Sequence, residues 1–434
     1  MKIYAIIELE KNTHISTKLY TYIVAQFDKT NKVVMIKFID KIISEFRACF
    51  TRKSAFEWFA VIVIGFMLRS DSMGVTSVIR DLCLNEGLYA TMMHFFRASS
   101  WTVPGVFKTW CHIILKYAPI MRDDDGSVIL VGDGTKISKE AKHMPGVKKH
   151  HQDSENSGKA AYIFGHLFGC IGILASNTDN PDKLIKLVTK AKSNVTAYEK
   201  PVNTSRRGRP CKKGRTIHLK ELFGKQQLFN NMQMFMYGNQ ETVRYYAVNL
   251  LWKQGLYQEL RFVLVQYKGV NSILVTTDLS MSPEAVIRMY AHRFNIECTF
   301  KTMKQLIGVG CYHFWSKYMP KLNKYSRTDK IPVNDRAKEK IHNTLNAIEK
   351  YVVLCCVATG ILQMLILTHS SLISPKMFKY RRTVSSNTPT EDIIADYLRR
   401  NLFRFMFLCP NLAISQFIMA KQLKNGIGSM DMAA

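Results

Sequence analysis

The sequence predicts an α+β chain in which helical ends enclose a β-rich middle, and three observations carry that prediction. Over the first 125 residues apolar side chains recur at three-to-four spacing, as in Phe38-Ile39-Ile42-Ile43-Phe46 and again from Trp58 to Leu68. After the turn Asp123-Asp124-Asp125-Gly126 the period changes to short apolar runs, beginning with Ser127–Asp133. From Ser282 onward the helical period returns, interrupted by a polar, basic stretch between about Lys317 and Arg336.

Within the first part, Val75–Leu82, a break at Asn85-Glu86-Gly87, and Leu88–Arg97 have the lengths of a helix–turn–helix with a glycine in the turn. Ser127-Val-Ile-Leu-Val-Gly-Asp133 is a continuous apolar run closed by an acid, the pattern of a strand buried on both faces. Tyr162–Leu174, Leu184–Val188, Met232–Tyr237, Val243–Leu251, Leu260–Tyr267 and Ile273–Asp278 continue the series of strands. The segment Ser282–Gly308 reads as one amphipathic helix. Ser282 suits the N-cap, Pro283 the first helical position and Gly308 the stop.

Charge narrows the partners. Among 434 residues, 61 Lys+Arg stand against 33 Asp+Glu, leaving +28. An excess of that size selects polyanions, either nucleic acid or an anionic membrane face. The 47% hydrophobic and 11% aromatic content excludes a largely disordered chain. Tyr351–Thr368 is uncharged for long enough to reach the lower limit of a membrane span, but it contains Thr359, Gly360 and Gln363. In a chain of mean hydropathy −0.07 it is expected to be a core helix, with no membrane partner. The start, MKIYAIIELEKNTHIS, breaks its apolar run at Glu8, so no secretory leader is expected. Ten scattered cysteines without a CxxC pair point to reduced thiols rather than a zinc site or disulfides.

The chemistry concentrates in Ser282–Gly308. At about 100° per residue, Tyr290, Arg293, Glu297 and Lys304 share one stripe, beside an apolar stripe of Met289, Ile296, Phe300, Met303 and Ile307. Spacing alone describes an amphipathic helix with a surface Arg–Glu pair. The pattern Tyr-x2-Arg-x3-Glu-x6-Lys, however, resembles the signature helix of a large class of DDE transposases from bacterial insertion sequences. Val131-Gly-Asp-Gly-Thr135 is similar to the strand that carries the first catalytic aspartate of that class. Lys142–His150, Tyr162–His166, Val188–Asn194, Arg261–Val265 and Phe314–Lys321 resemble one of its subgroups.

The resemblance implies an RNase H-like core with a mixed sheet and helices, interrupted by a β-rich insertion. It implies three carboxylates holding two Mg²⁺ ions, with Mn²⁺ as the expected substitute. One ion would activate the attacking water or 3′-hydroxyl, and the other would stabilise the leaving oxygen. Carried over by residue, Asp133 and Glu297 are metal ligands, while Tyr290, Arg293 and Lys304 grip the phosphates of the transposon end. The family's second aspartate closes a strand just before the insertion. Here the only acids between Asn156 and Thr277 are Asp179, Asp182, Glu199, Glu221, Glu241 and Glu259, and none closes an apolar run in the expected place. A segment, and the aspartate with it, is missing from the pattern. Asp278, at the end of Leu274-Val-Thr-Thr-Asp278, is the substitute candidate for both a catalytic and a metal-binding role; the alternative for it is a helix-initiating acid.

Two further basic blocks bear on DNA. Arg206-Arg-Gly-Arg-Pro-Cys-Lys-Lys-Gly-Arg215 contains Arg207-Gly-Arg-Pro210, similar to the core of an AT-hook. Phosphate contact by Arg207, Arg209, Lys212 and Lys213 is the simpler expectation. Lys301–Lys330 interleaves seven Lys/Arg and one acid with Tyr312, Phe314, Trp315, Tyr318 and Tyr325, a composition suited to a strand end or flipped base.

The expected organisation is a helical DNA-binding region (1–125), the first part of the core (126–192), the insertion (193–266), the second part of the core with the Glu helix (267–310), and a helical C-terminal region (311–434). The expected function is cleavage and joining of phosphodiester bonds at insertion-sequence ends in double-stranded DNA. A homodimer on DNA and a cytoplasmic, nucleoid-associated location in a bacterium come with it. The rival expectation is a catalytically defective, transposase-derived protein that binds the element's ends without cutting.

Overall fold

The computed structural model describes residues 33–71, 74–121, 128–139, 143–152, 161–175, 188–202, 211–236, 239–321, 334–373 and 389–422. The chain forms two compact units. One comprises residues 1–119, 134–168 and 299–434; the other comprises 120–133 and 169–298. The class is α+β, with helices and antiparallel sheets, consistent with an RNase H-like transposase fold.

The first unit is built on two apolar helices. Helix α1 covers residues 33–44 and is followed by α2 (Lys53–Leu68), which is buried almost all round from Ala55 to Leu68. A helix that is apolar on every side has to lie inside a bundle. Next come α3 (Thr76–Asp81), α4 (Tyr89–Arg97) and α5 (Val103–Tyr117). Gly65 lets α3 approach α2 closely, because a Cβ there would lie 2.4 Å from a methyl of Val78.

The other apolar helix is α8 (Asp335–His369), which contacts α2, α4, α5 and α9 (Glu391–Leu408). By length and composition it could cross a membrane. Its packing and polar residues instead describe the centre of a bundle. Gly360 accommodates the indole of Trp110, whose ring atom would be 2.2 Å from an added Cβ. Thr359 donates to the Cys355 carbonyl (2.8 Å), and the Gln363 amide donates to Thr299 Oγ1 and Glu391 Oε1, both at 3.2 Å. The short α10 (Ala413–Met419) closes against α2.

The helix–turn–helix pattern is present as α3, a 3₁₀ turn over Glu86–Leu88, and α4. Helix α4 buries Met92, Phe95 and Phe96 and exposes Tyr89, His94 and Arg97.

Strands β1 (Leu130–Ser138), β2 (Lys148–His151) and β3 (Tyr162–Ile173) form a three-stranded sheet in the order β1-β3-β2. Strands β1 and β3 each run from one unit into the other, changing unit after Asp133 and after Phe168. The expectation that β1 is buried on both faces is not met. Its exposed and half-buried residues alternate, and Leu130 is 51% exposed. The cause is topological: among the described residues β1 is an edge strand, paired on one side only.

The second unit holds a seven-stranded antiparallel sheet. Its order is β4 (Val188–Lys190), β10 (Val270–Thr276), β9 (Gln258–Tyr267), β8 (Asn239–Trp252), β5 (Thr196–Tyr198), β6 (Thr216–His218), with β7 (Asn230–Met236) also on β8. Strand β9 shows why an unbroken apolar run was needed. Leu260, Phe262 and Leu264 enter one core with Leu250, Phe223 and Ile273. Val263 and Val265 enter the opposite core with Met234, Val243 and Leu274. That second core is covered by Val286 and Ile287 of α6 (Pro283–Ala291). Between strand Leu184–Val188 as read from sequence and the sheet itself, only β4 is described; residues 176–187, including Asp179 and Asp182, lie outside the described residues.

Candidate active site

The Glu helix begins as its sequence dictates. Ser282 Oγ accepts from the Ala285 amide (3.1 Å) and Pro283 occupies the first helical position. The helix is not uniform, however. A turn at His292 (φ −64°, ψ −18°) separates α6 from α7 (Arg293–Thr302), and a π-helical turn, Met303–Ile307, follows. Gly308 ends it in the left-handed region, φ 68° and ψ 47°, where a side chain would be strained.

Within the second unit, the first turn of α7 meets the first half of β1, which continues past Asp133 to Ser138 rather than closing at the acid. Arg293 Nη2 donates to Asp133 Oδ2 at 2.8 Å, and Nη1 donates to Glu297 Oε1 at 2.9 Å. The Arg–Glu half of this fork is local, an i,i+4 pair. The Arg–Asp half joins residues 160 positions apart. The side chains are 26% exposed at Asp133, 41% at Arg293 and 46% at Glu297. Ion pairs so open to water contribute about 0–1 kcal/mol to stability. Fold stability is therefore a poor reason for two carboxylates to converge on one guanidinium here.

The donor set fits a hard divalent cation. Two carboxylates already share a positive partner, and Mg²⁺ usually takes one or two carboxylates with water and substrate phosphates as the remaining ligands. Among the described residues no group of three or more His, Cys, Asp and Glu side chains is arranged to hold a metal. Asp278 lies in the turn after β10, where its Oδ1 accepts from the Ser280 amide (2.8 Å) and hydroxyl (2.7 Å).

The DNA-contact candidates divide by environment. Tyr290 is half-buried and packs on the second-face core of the sheet. Lys304 is exposed, on the π-helical turn and in the first unit. Lys212 is exposed, whereas the Lys213 ammonium lies over the Tyr198 ring at 4.3 Å and within 6.0 Å of Tyr257. Arg207 and Arg209 lie outside the described residues. In the aromatic block, Tyr312 and Phe314 are core residues, each 1% exposed, while Trp315 is 61% exposed. Tyr325 is outside the described residues.

Sequence reasoning missed a buried polar cluster in the first unit. Lys139, just after β1, donates to the carbonyls of Gly310 and Tyr312 and lies 3.9 Å from the centroid of the Tyr312 ring. Burial brings its ammonium down to about 8. The Pro145 carbonyl can only accept, so His166 donates through Nε2 (2.8 Å) and receives the Tyr312 hydroxyl on Nδ1 (2.6 Å). Burial also lowers the pKa of His166, in keeping with a neutral ring. A lysine after a strand and a histidine within one carry no distinctive spacing, so no signal in the sequence announced this cluster.

Two family models match the chain. One, described as a DDE superfamily endonuclease, matches residues 45–163; the other, a transposase DDE domain, matches residues 178–310. Asp133 falls in the first match and Glu297 in the second. The chain belongs to the DDE transposases. Transposase domains of this kind act on DNA, and nucleases of the DDE superfamily usually use divalent metals. No curated protein and no solved structure matches this transposase.

Proposed function

We propose that this transposase cuts and joins phosphodiester bonds at insertion-sequence ends, with Asp133 and Glu297 as the protein ligands of its divalent ions. The observation that carries the reading is the pair of carboxylates, one from β1 and one from α7, gathered on Arg293. Mg²⁺, or Mn²⁺ in its place, would supply activation of a water or 3′-hydroxyl and stabilisation of the leaving oxygen. The protein's own residues do the rest. Asp133 and Glu297 present oxygen donors from two rigid elements, and Arg293, Lys304 and Tyr290 align the phosphates of the DNA end. Lys212, with Arg207 and Arg209, adds sequence-independent phosphate contact, and the exposed indole of Trp315 offers a stacking surface to a displaced base. The Tyr-x2-Arg-x3-Glu-x6-Lys spacing supports a transposase of the Tyr–Arg–Glu–Lys class, acting in a bacterial cytoplasm as a dimer on DNA.

A second reading, end binding without cleavage, is favoured by one observation: the described residues contain no converging group of three metal-binding side chains. Asp278 is the third candidate, with its Oδ1 engaged by Ser280. Incubation of labelled DNA carrying the gene's own flanks with purified protein and Mg²⁺, Mn²⁺ or Ca²⁺ separates the two. Nicks at the element boundary that require Mg²⁺ or Mn²⁺ support the enzyme. Retention of the flanks with no cut in any metal supports the end-binder.

A further inference from the structure

The guanidinium of Arg293 bridges the carboxylates of Asp133 and Glu297. Each of its two terminal nitrogens is spent on a different carboxylate, at 2.8 and 2.9 Å, so one side chain neutralises part of both charges and fixes their orientation. A buried fork of this kind would be permanent. This one is 41% exposed, and its partners are 26% and 46% exposed, so it can be exchanged for other ligands in water. A phosphate offers arginine the same planar, two-oxygen recognition that a carboxylate does. A divalent cation offers the carboxylates a stronger positive partner than one shared guanidinium, but it is repelled by that guanidinium as long as it stays.

We propose that Arg293 is a latch on the metal site, closed in the DNA-free protein and opened when a backbone phosphate takes its guanidinium. This rests on Asp133 and Glu297 being the metal ligands. The consequence is coupling: DNA binding raises metal affinity, and by linkage metal binding raises DNA affinity by the same factor. Before DNA arrives, the latch holds the two carboxylates in register, against the mutual repulsion that would push Asp133 of β1 and Glu297 of α7 apart. It also keeps the nuclease unloaded away from its substrate.

The test reads metal binding directly. Mn²⁺ is titrated into the full-length protein without DNA, and free Mn²⁺ is followed by its electron paramagnetic resonance signal. Arg293→Gln is expected to bind Mn²⁺ at least about tenfold more tightly than the wild type, and Asp133→Asn in the Arg293→Gln background is expected to abolish that gain. Arg293→Lys keeps a point charge but cannot fork between two carboxylates, so it should fall between the two. It also serves if Arg293→Gln fails to fold, as judged by its melting curve. Equal or weaker Mn²⁺ binding in both Arg293 variants, with Asp133→Asn still weakening the wild type, overturns the latch and leaves the metal site standing. Mn²⁺ binding that ignores Asp133→Asn in every background overturns the ligand assignment and the latch with it.

Discussion

Arg69 and Arg293 show how differently the two units use the same side chain. In the helical unit, Arg69 is 2% exposed and donates to the Gly74 carbonyl (3.0 Å) and the Tyr351 hydroxyl (3.4 Å). Tyr351 in turn donates to the Gly308 carbonyl at 2.9 Å. The described hydrogen-bond partners of the Arg69 guanidinium are neutral groups inside a packed bundle, so its task is to satisfy buried polar atoms and hold turns in place. In the β unit, Arg293 reaches two charged partners and stays open to water. Sealed charge belongs to the fold, and charge left half in solvent is available for exchange with a ligand. Lys139 and Lys350 extend the first pattern: both are buried, and both donate to backbone carbonyls.

This contrast can be broken at several points. The largest expected effect is on chemistry. Asp133→Asn and Glu297→Gln should each lower boundary nicking by more than the roughly 10–100-fold typical of residues that only support a metal ligand from behind, with DNA still retained in a metal-free gel-shift assay. Next comes stability. Arg69→Ala leaves buried partners unsatisfied and should lower unfolding free energy by about 3 kcal/mol, whereas Arg293→Ala should change it by no more than about 1 kcal/mol. Urea unfolding midpoints compare the two, and equal losses would erase the distinction between them.

Smaller effects sharpen it. Asp278→Asn keeps an oxygen to accept from Ser280 and should change nicking by less than about threefold, since a Mg²⁺ site can be completed by phosphate and water. A loss as deep as that of Asp133→Asn would make Asp278 the third ligand. The smallest effect concerns Lys350, whose ammonium burial lowers to about 8, below its ordinary value of 10.5. The folded state then holds fewer protons than the unfolded chain between those values, so this residue's contribution makes stability rise with pH from about 8 to 10.5. Lys350→Met should flatten that rise in melting temperature. An unchanged slope would mean that burial does not lower the pKa of the Lys350 ammonium in the folded bundle.

What could be read from sequence was local or periodic. Ser282, Pro283 and Gly308 mark their helix ends because capping is decided within a few residues. The run Leu260–Val265 announces a strand covered on both faces, and Thr359, Gly360 and Gln363 foretell a core helix with polar neighbours. What stayed hidden depends on chain segments far apart. Ser127–Asp133 has the composition of a central strand, yet among the described residues β1 pairs on one side only, because its neighbours are a matter of topology. Lys213 is expected to contact DNA, and spacing could not show that Tyr198 of β5 and Tyr257, in the turn after β8, lie beside its ammonium. Phe314 and Trp315 are adjacent and chemically alike, and only packing decides that one is core and the other exposed. The fork of Arg293 combines both cases, with Glu297 predictable from helical spacing and its link to Asp133 visible only in the fold.

The central claim is that Asp133 and Glu297 form one metal-dependent cutting site, and Glu297→Gln tests it most directly. Wild type and variant are compared for nicking of the labelled gene flanks in Mn²⁺, with DNA retention measured on the same proteins without metal. Loss of nicking with retention intact is the predicted result. Nicking by Glu297→Gln at the wild-type rate would contradict it.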